Sequence, residues 1–143
     1  MKLFSRLAFF CILSLLLGCA PSTVQGLRED HSGKISFEVS QNYQPVYRAI
    51  LEQSRNCWQG SSIFTAPGTV QGDLYHDIRR GNISVAQHNA IYGILTWLAI
   101  DVSALDDNTT RVETYYTNDH WAPAAAAVEQ WVKNDFKGCR FPE

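Results

Sequence analysis

The histidines and the carboxylates near them are the residues of this sequence that are best suited to chemistry. His76 lies between Asp73 and Asp77, and such a group could bind a metal ion or transfer protons. On a strand, however, Asp73 and Asp77 would share one face and His76 would lie on the other. The sequence also lacks the HExxH and GxSxG motifs. It therefore predicts no catalytic residue, no metal site, no cofactor and no enzymatic activity.

The first residues of the chain form a pattern of their own. Two basic residues, Lys2 and Arg6, precede a run over 7–17 in which only Ser14 is polar. This run is about half as long as the ~20 apolar residues that a helix needs to cross a bilayer. A basic start followed by a short apolar run is typical of an export signal rather than a membrane span.

Residues 16–19, Leu-Leu-Gly-Cys, resemble the lipobox of bacterial lipoproteins. The resemblance implies cleavage after Gly18, a diacylglycerol on the sulfur of Cys19 and acylation of the new amino terminus. Two or three acyl chains together anchor a protein stably. Ala20 in place of aspartate implies, by the same resemblance, the periplasmic face of the outer membrane. We therefore predict a signal peptide over 1–18 and a lipid anchor at Cys19; the alternative is an ordinary signal peptide with an incidental cysteine.

Cys57 and Cys139 are the cysteines that remain for the exported domain, because Cys11 lies in the signal peptide and Cys19 is the predicted lipidation site. Exported chains meet an oxidising compartment in which disulfides persist. A reactive or metal-binding pair is the alternative, but the spacing is not CxxC. We predict a disulfide that closes a loop of about 80 residues and contributes roughly 4 kcal/mol in the chain-entropy model.

Composition limits the size and the partners of the mature protein. Without the signal peptide 125 residues remain, enough for one modest core. Loss of Lys2 and Arg6 leaves ten basic and fourteen acidic residues, a net charge of −4. A chain of this charge without a Lys/Arg cluster is not expected to bind nucleic acid. The polar segment 19–33 is predicted to be a flexible tether, followed by a single domain over 34–143.

Hydrophobic periodicity from Lys34 onward predicts an α+β domain. Period-two and three-and-four spacings alternate along the chain, and Arg80-Gly81-Asn82 is interpreted as a hairpin turn. The predicted elements are a strand at 35–39, a helix at 46–58, strands at 70–79, 83–88, 92–102 and 111–116, and a helix at 121–136. This β-α-β-β-β-β-α order predicts an antiparallel sheet with both helices packed on one face. Cys57 and Cys139 would then join the ends of the two helices.

The element order resembles the helix-grip domains of BamC, the lipoprotein of the outer-membrane barrel assembly machinery. The stretch from Tyr43 to Trp58, together with Trp131 and Cys139, is also similar to small proteobacterial lipoproteins of comparable length. These resemblances imply a lipid-anchored domain of the cell envelope. They bring no catalytic residues, and a shared fold does not imply a shared function.

Strand alternation predicts a surface for a protein partner. If Leu74, Leu98 and Val112 face the helices, the opposite face presents four aromatic or apolar side chains flanked by charged ones. These four residues are Tyr75, Leu95, Trp97 and Tyr115. An apolar centre with a charged rim is typical of a protein interface. The alternatives are that the tether, a loop or a second copy covers this face, or that the strand registers place the aromatic residues apart.

The sequence thus favours a non-enzymatic envelope lipoprotein that is anchored in the membrane and binds a protein partner, or itself, as an accessory or assembly factor. The alternative function is the binding of a small apolar ligand or lipid in the groove between the helices and the sheet. Several aromatic residues are expected to point into that groove. They are Phe37, Tyr47, Trp58, Trp121 and Trp131.

Overall fold

The computed structural model describes residues 21–63 and 66–139, which form an open antiparallel sheet with two long helices packed on one face. The predicted α+β architecture is therefore confirmed. The predicted signal peptide and Cys19 lie outside the described residues.

The element order contains the seven predicted elements and three additions: α1, the two-residue strand β2 and a 3-10 turn. In chain order they are α1 (Val24–Glu29), β1 (Gly33–Val39), α2 (Tyr43–Trp58), β2 (Ser62–Ile63), β3 (Ala66–Tyr75), β4 (Arg80–Asn89), β5 (Gly93–Ala104), β6 (Thr110–Tyr116), a 3-10 turn (Asp119–Trp121) and α3 (Ala122–Lys133). The strand order across the sheet is β1-β6-β5-β4-β3-β2, and all neighbouring strands are antiparallel.

Local sequence explains how the two long helices begin and which face each one buries. The side chain of Asn42 caps α2 by accepting from the Gln44 N–H (3.0 Å), which satisfies one of the unpaired donors of the first turn. Proline in the first turn of α3 is compatible with a helix start. The buried alanines of α3 have small side chains, so this helix can approach the sheet closely. They are Ala124, Ala125 and Ala127.

The four tryptophans of the chain form one continuous group between the helices and the sheet. Trp131 of α3 lies 5.2 Å from Trp58 of α2, measured between ring centroids, and Trp58 lies 6.4 Å from Trp121. Trp121 in turn stacks on Trp97 of β5 at 5.8 Å with an interplanar angle of 11°. These aromatic contacts join both helices to the sheet, and they favour the interpretation that the predicted groove is filled by side chains rather than by a ligand.

The β3–β4 hairpin turns four residues earlier than predicted. β3 ends at Tyr75, and the four residues that follow form the turn, with Arg79 in the left-handed region (φ 54°). The prediction of a turn at Arg80–Asn82 is therefore wrong. Gly81 is a strand residue, and a Cβ atom at this position would collide with the ring of Tyr47. This glycine serves the close approach of α2 to the sheet, not a turn.

A β-bulge in β5 changes the face on which the residues before it lie. Val85 pairs with Leu98 and the next residue, Ala86, pairs with Thr96, so Trp97 is an extra residue in the ladder. Trp97 consequently packs against the core on the helix side, as does Leu98. Simple alternation along this strand therefore fails at Trp97.

The predicted disulfide between Cys57 and Cys139 is confirmed, with a Cα–Cα distance of 5.3 Å. Cys57 lies in the last turn of α2, and Cys139 lies in the extended segment after α3. Two hydrogen bonds hold the same segment: Gln53 Nε2 donates to the Lys137 carbonyl (2.7 Å) and Trp131 Nε1 donates to the Gly138 carbonyl (2.9 Å). The bond closes a loop with a sequence separation of 82.

We expect replacement of both Cys57 and Cys139 by alanine to lower the free energy of unfolding by about 2–5 kcal/mol, because the unfolded chain gains the freedom of a long loop. Urea denaturation followed by tryptophan fluorescence measures the change. The wild-type protein with reductant is the matched control and should unfold like the double variant. Equal unfolding midpoints for the oxidised wild type and the double variant would contradict the prediction.

Candidate binding cleft on the open face of the sheet

The sheet face opposite α2 and α3 carries mostly polar and charged side chains. Two neighbouring rows of residues cross the strands on this face, as the strand registers show. One row contains Tyr75, Arg80, Ser103, Arg111 and Glu38; the next contains Asp73, Asn82, Asp101, Glu113 and Ser36. A polar face of this kind offers few apolar contacts to an element that packs on it. The segment before β1 supplies the element that covers part of it.

The helix α1 covers part of the open face, so the prediction of a flexible tether over 19–33 is wrong for Val24–Glu29. Leu27 is fully buried against β5 and β6. Thr23 caps the helix by accepting from the Gly26 N–H (2.9 Å). Before the helix, the carbonyl of Pro21 accepts from the Thr96 N–H (3.0 Å). A single buried leucine is too weak a periodic signal to distinguish this short helix from a polar linker.

An ion pair between Arg28 of α1 and Asp101 of β5 fastens the helix to the sheet. Arg28 Nε donates to Asp101 Oδ2 (2.9 Å) and Arg28 Nη2 donates to Asp101 Oδ1 (2.6 Å). Both side chains are half-buried, and bidentate geometry of this kind is stronger and more specific than a single contact. Oriented so that its hydrogen bonds are satisfied, the amide of Asn82 also donates to Asp101 (2.9 Å).

Two clefts lie beside this ion pair. The larger has a volume of about 370 Å³ and the smaller about 190 Å³. Arg28 and Asn82 line both of them. The other residues of the larger cleft are Tyr75, Ile78, Arg80, Asp101, Ser103 and Glu113. The cleft therefore combines charges of both signs with an aromatic ring and an aliphatic side chain.

Most charges in and around the larger cleft have an ion-pair partner, as Arg28 and Asp101 do. Glu113 accepts from Lys34 (3.0 Å), and this hydrogen bond raises the pKa of the lysine. Glu38 pairs with Arg111 (2.7 Å), which raises the pKa of that guanidinium. Arg80 is exposed and forms no ion pair with any residue that the structure describes. It is therefore the cation of this cleft that can pair with a ligand.

Of the four residues predicted to form a partner surface, two lie on the open face. Tyr75 lines the larger cleft and is 42% exposed. Tyr115 is half-buried under His31 (5.2 Å between ring centroids); burial and then the charge of Glu113 raise its pKa.

The placement of Trp97 and Leu95 on the open face is wrong. The bulge turns Trp97 toward the helices, and strand alternation puts Leu95 on the same side. The sequence analysis also missed Arg28 and Arg80, because one was assigned to a tether and the other to a turn. A Thr23 cap followed by Leu27 was the only local signal for the helix that carries Arg28.

The histidines do not gather into a site. His76 lies in the β3–β4 turn rather than on a strand, where its Nδ1 is 3.3 Å from Gln44 Nε2. The remaining three, His31, His88 and His120, are exposed at separate positions. Within residues 21–63 and 66–139, no group of three or more His, Cys, Asp or Glu side chains is placed to hold a metal ion.

Comparison with known proteins leaves the family open. The chain matches no protein-family model, and no curated protein gives a significant match.

We expect Leu27→Ser to detach α1 from the sheet, because burial of this side chain is the main apolar contact of the helix. The amide of Thr96, which bonds to Pro21, should exchange with solvent at least about tenfold faster, whereas the amide of Ile100 in the core should be unaffected. Hydrogen exchange measured by NMR distinguishes this local opening from global unfolding. Gln25→Ser, at an exposed position of the same helix, is the matched control. Unchanged exchange at Thr96 would contradict the prediction.

Proposed function

We propose that this protein is a lipid-anchored lipoprotein of the cell envelope that acts without catalysis, binding a partner protein through the larger cleft on the open face of its sheet. The observation that carries the proposal is Arg80, an exposed cation without an ion-pair partner among the described residues, in a preformed cleft beside exposed apolar side chains. Arginine and tyrosine are enriched in the energetically important centres of protein interfaces.

The chemistry of the cleft indicates what the partner presents. An acidic side chain would pair with Arg80, and an apolar side chain would pack on Tyr75 (42% exposed) and Ile78 (57% exposed). The ion pair of Arg28 with Asp101 gives the cleft a fixed wall, which lowers the entropy cost of binding. A short segment of an envelope protein with an acidic and an apolar residue close together fits these features.

The N-terminal sequence supports attachment through lipid. The lipobox-like residues 16–19 and the preceding signal-like run support an anchor at Cys19. No helix of the described part of the chain is both long enough and apolar enough to cross a bilayer. Ala20 after the lipidated cysteine favours the periplasmic face of the outer membrane.

A photo-reactive amino acid at Tyr75 tests the cleft in intact cells. We expect a discrete cross-linked adduct with another envelope protein, identified by mass spectrometry. Arg80→Ser should weaken the adduct about tenfold, since a hydrogen bond between charged groups contributes roughly 1.5–3 kcal/mol.

Two controls lie on the exposed face of α2. Arg48→Ser removes an exposed cation elsewhere and should leave the adduct unchanged, and a probe at Glu52 should give no adduct. An adduct at Tyr75 that is insensitive to Arg80→Ser, or that also forms from Glu52, would overturn the assignment of the cleft. Absence of any adduct at Tyr75 would do the same.

Metabolic labelling with radioactive palmitate tests the anchor. The wild-type chain should be labelled and the Cys19→Ser variant should not, because the thioether needs the sulfur of Cys19. Cys11→Ser is the matched control and should be labelled like the wild type. Undiminished labelling of Cys19→Ser would show that Cys19 is not the lipidation site.

A further inference from the structure

The turn between β4 and β5 displays apolar side chains to solvent. Ile91 is 82% exposed, Tyr92 is 71% exposed and Ile94 is 42% exposed. Single exposed apolar residues are common on protein surfaces, but three within four positions at the tip of one hairpin form a patch. We call these three residues the hairpin tip.

The hairpin that carries this tip is without formal charge over most of its length. Residues 81–100 contain no Asp, Glu, Lys or Arg. The nearest charged residues along the chain are Arg80 and Asp101. Both lie toward the other end of the hairpin, where Arg80 is opposite Ser103 and Asp101 is opposite Asn82 in the strand register. Apolar side chains cost less to remove from water than charged ones, and the tip has no Asp, Glu, Lys or Arg among its neighbours along these two strands.

The side chain of Asn89 satisfies two backbone donors of the turn. Asn89 Oδ1 accepts from the N–H of Ile91 (2.8 Å) and from the N–H of Tyr92 (3.2 Å). Gly93 closes the turn in the left-handed region (φ 74°). Backbone groups that enter a lipid environment must be paired within the protein, and these two are.

The hairpin tip lies beside the point at which the chain leaves the predicted lipid attachment. The Thr96 N–H donates to the carbonyl of Pro21 (3.0 Å), and Thr96 is two strand residues from Ile94. Pro21 follows Cys19 by two residues, a separation that spans at most about 7 Å. The hairpin tip and Pro21 are therefore at the same end of the molecule, whereas the acidic β5–β6 turn that contains Asp106 and Asp107 is at the other end.

We propose that the hairpin tip inserts into the interfacial region of the same membrane that holds the lipid on Cys19. The inference rests on the proposed function for the anchor. Lipid chains on a single residue tether a domain without fixing its orientation. A second apolar contact close to the anchor orients the sheet relative to the bilayer, and Tyr92 suits the interface because its ring is apolar and its hydroxyl is polar. The charged turns at the opposite end of the strands then point away from the membrane.

Site-specific labelling of the full chain, purified from membranes, tests this orientation. Tyr92→Cys is labelled with an environment-sensitive fluorophore and reconstituted into vesicles of phosphatidylethanolamine and phosphatidylglycerol. The matched control is the same label on Ile78→Cys, an exposed apolar residue in the β3–β4 turn at the opposite end of the sheet. We expect spin-labelled lipids to quench the label at position 92 at least about threefold more than the label at position 78.

Three outcomes would overturn the inference. Equal quenching of both labels by aqueous iodide, without quenching by the spin-labelled lipids, would mean that the hairpin tip lies in water. A label at position 92 shielded from iodide but not quenched by lipid would mean that protein covers the hairpin tip. Cross-links between the hairpin tips of two copies would mean self-association.

Mass spectrometry of the N-terminus separates this inference from the proposed anchor. An unmodified N-terminus would refute the lipid attachment. The same two labels, on unlipidated chains that also carry Cys11→Ser and Cys19→Ser so that one thiol reacts, would then decide the hairpin inference by itself when vesicles are added: selective quenching at position 92 supports it, and no quenching refutes it.

Discussion

The contact of four tryptophan rings is the interaction on which the rest of the structure depends. Trp58 and Trp121 are fully buried, and through Trp131 and Trp97 they join α2, α3 and β5 in one packed group. The disulfide at Cys57 closes the same region covalently. Because the helices are held on one face in this way, the main core lies between them and the sheet, and on the other face Leu27 of α1 is buried against the strands.

The open face becomes a site only through α1. Leu27 supplies the apolar contact that holds this helix, and the bidentate pair of Arg28 with Asp101 sets its position on β5. Together they convert a flat polar sheet into a walled cleft with Arg80 inside it. The segment before β1, which includes α1, thus forms one wall of the cleft.

The β4–β5 hairpin has chemically different ends. Its tip presents Ile91 and Tyr92, whereas Arg80 and Asp101 line the larger cleft at its base. The uncharged stretch between them spans most of both strands. A membrane contact at one end and a protein contact toward the other would place the partner at a defined distance from the bilayer, about the length of these strands.

Local patterns in the sequence were sufficient for the element order, the α+β class and the disulfide. Helix and strand periodicities differ clearly, and the prediction of a signal peptide and a lipidated Cys19 leaves two cysteines, which allow one pairing. Only the tertiary structure decided the face of Trp97, the role of Gly81 and the docking of α1. A bulge is defined by its pairing with the partner strand. A glycine is required at position 81 because the ring of Tyr47 packs against it. A six-residue helix is stable only where Leu27 is buried against the sheet. These are contacts between residues distant in the chain, and no local pattern encodes them.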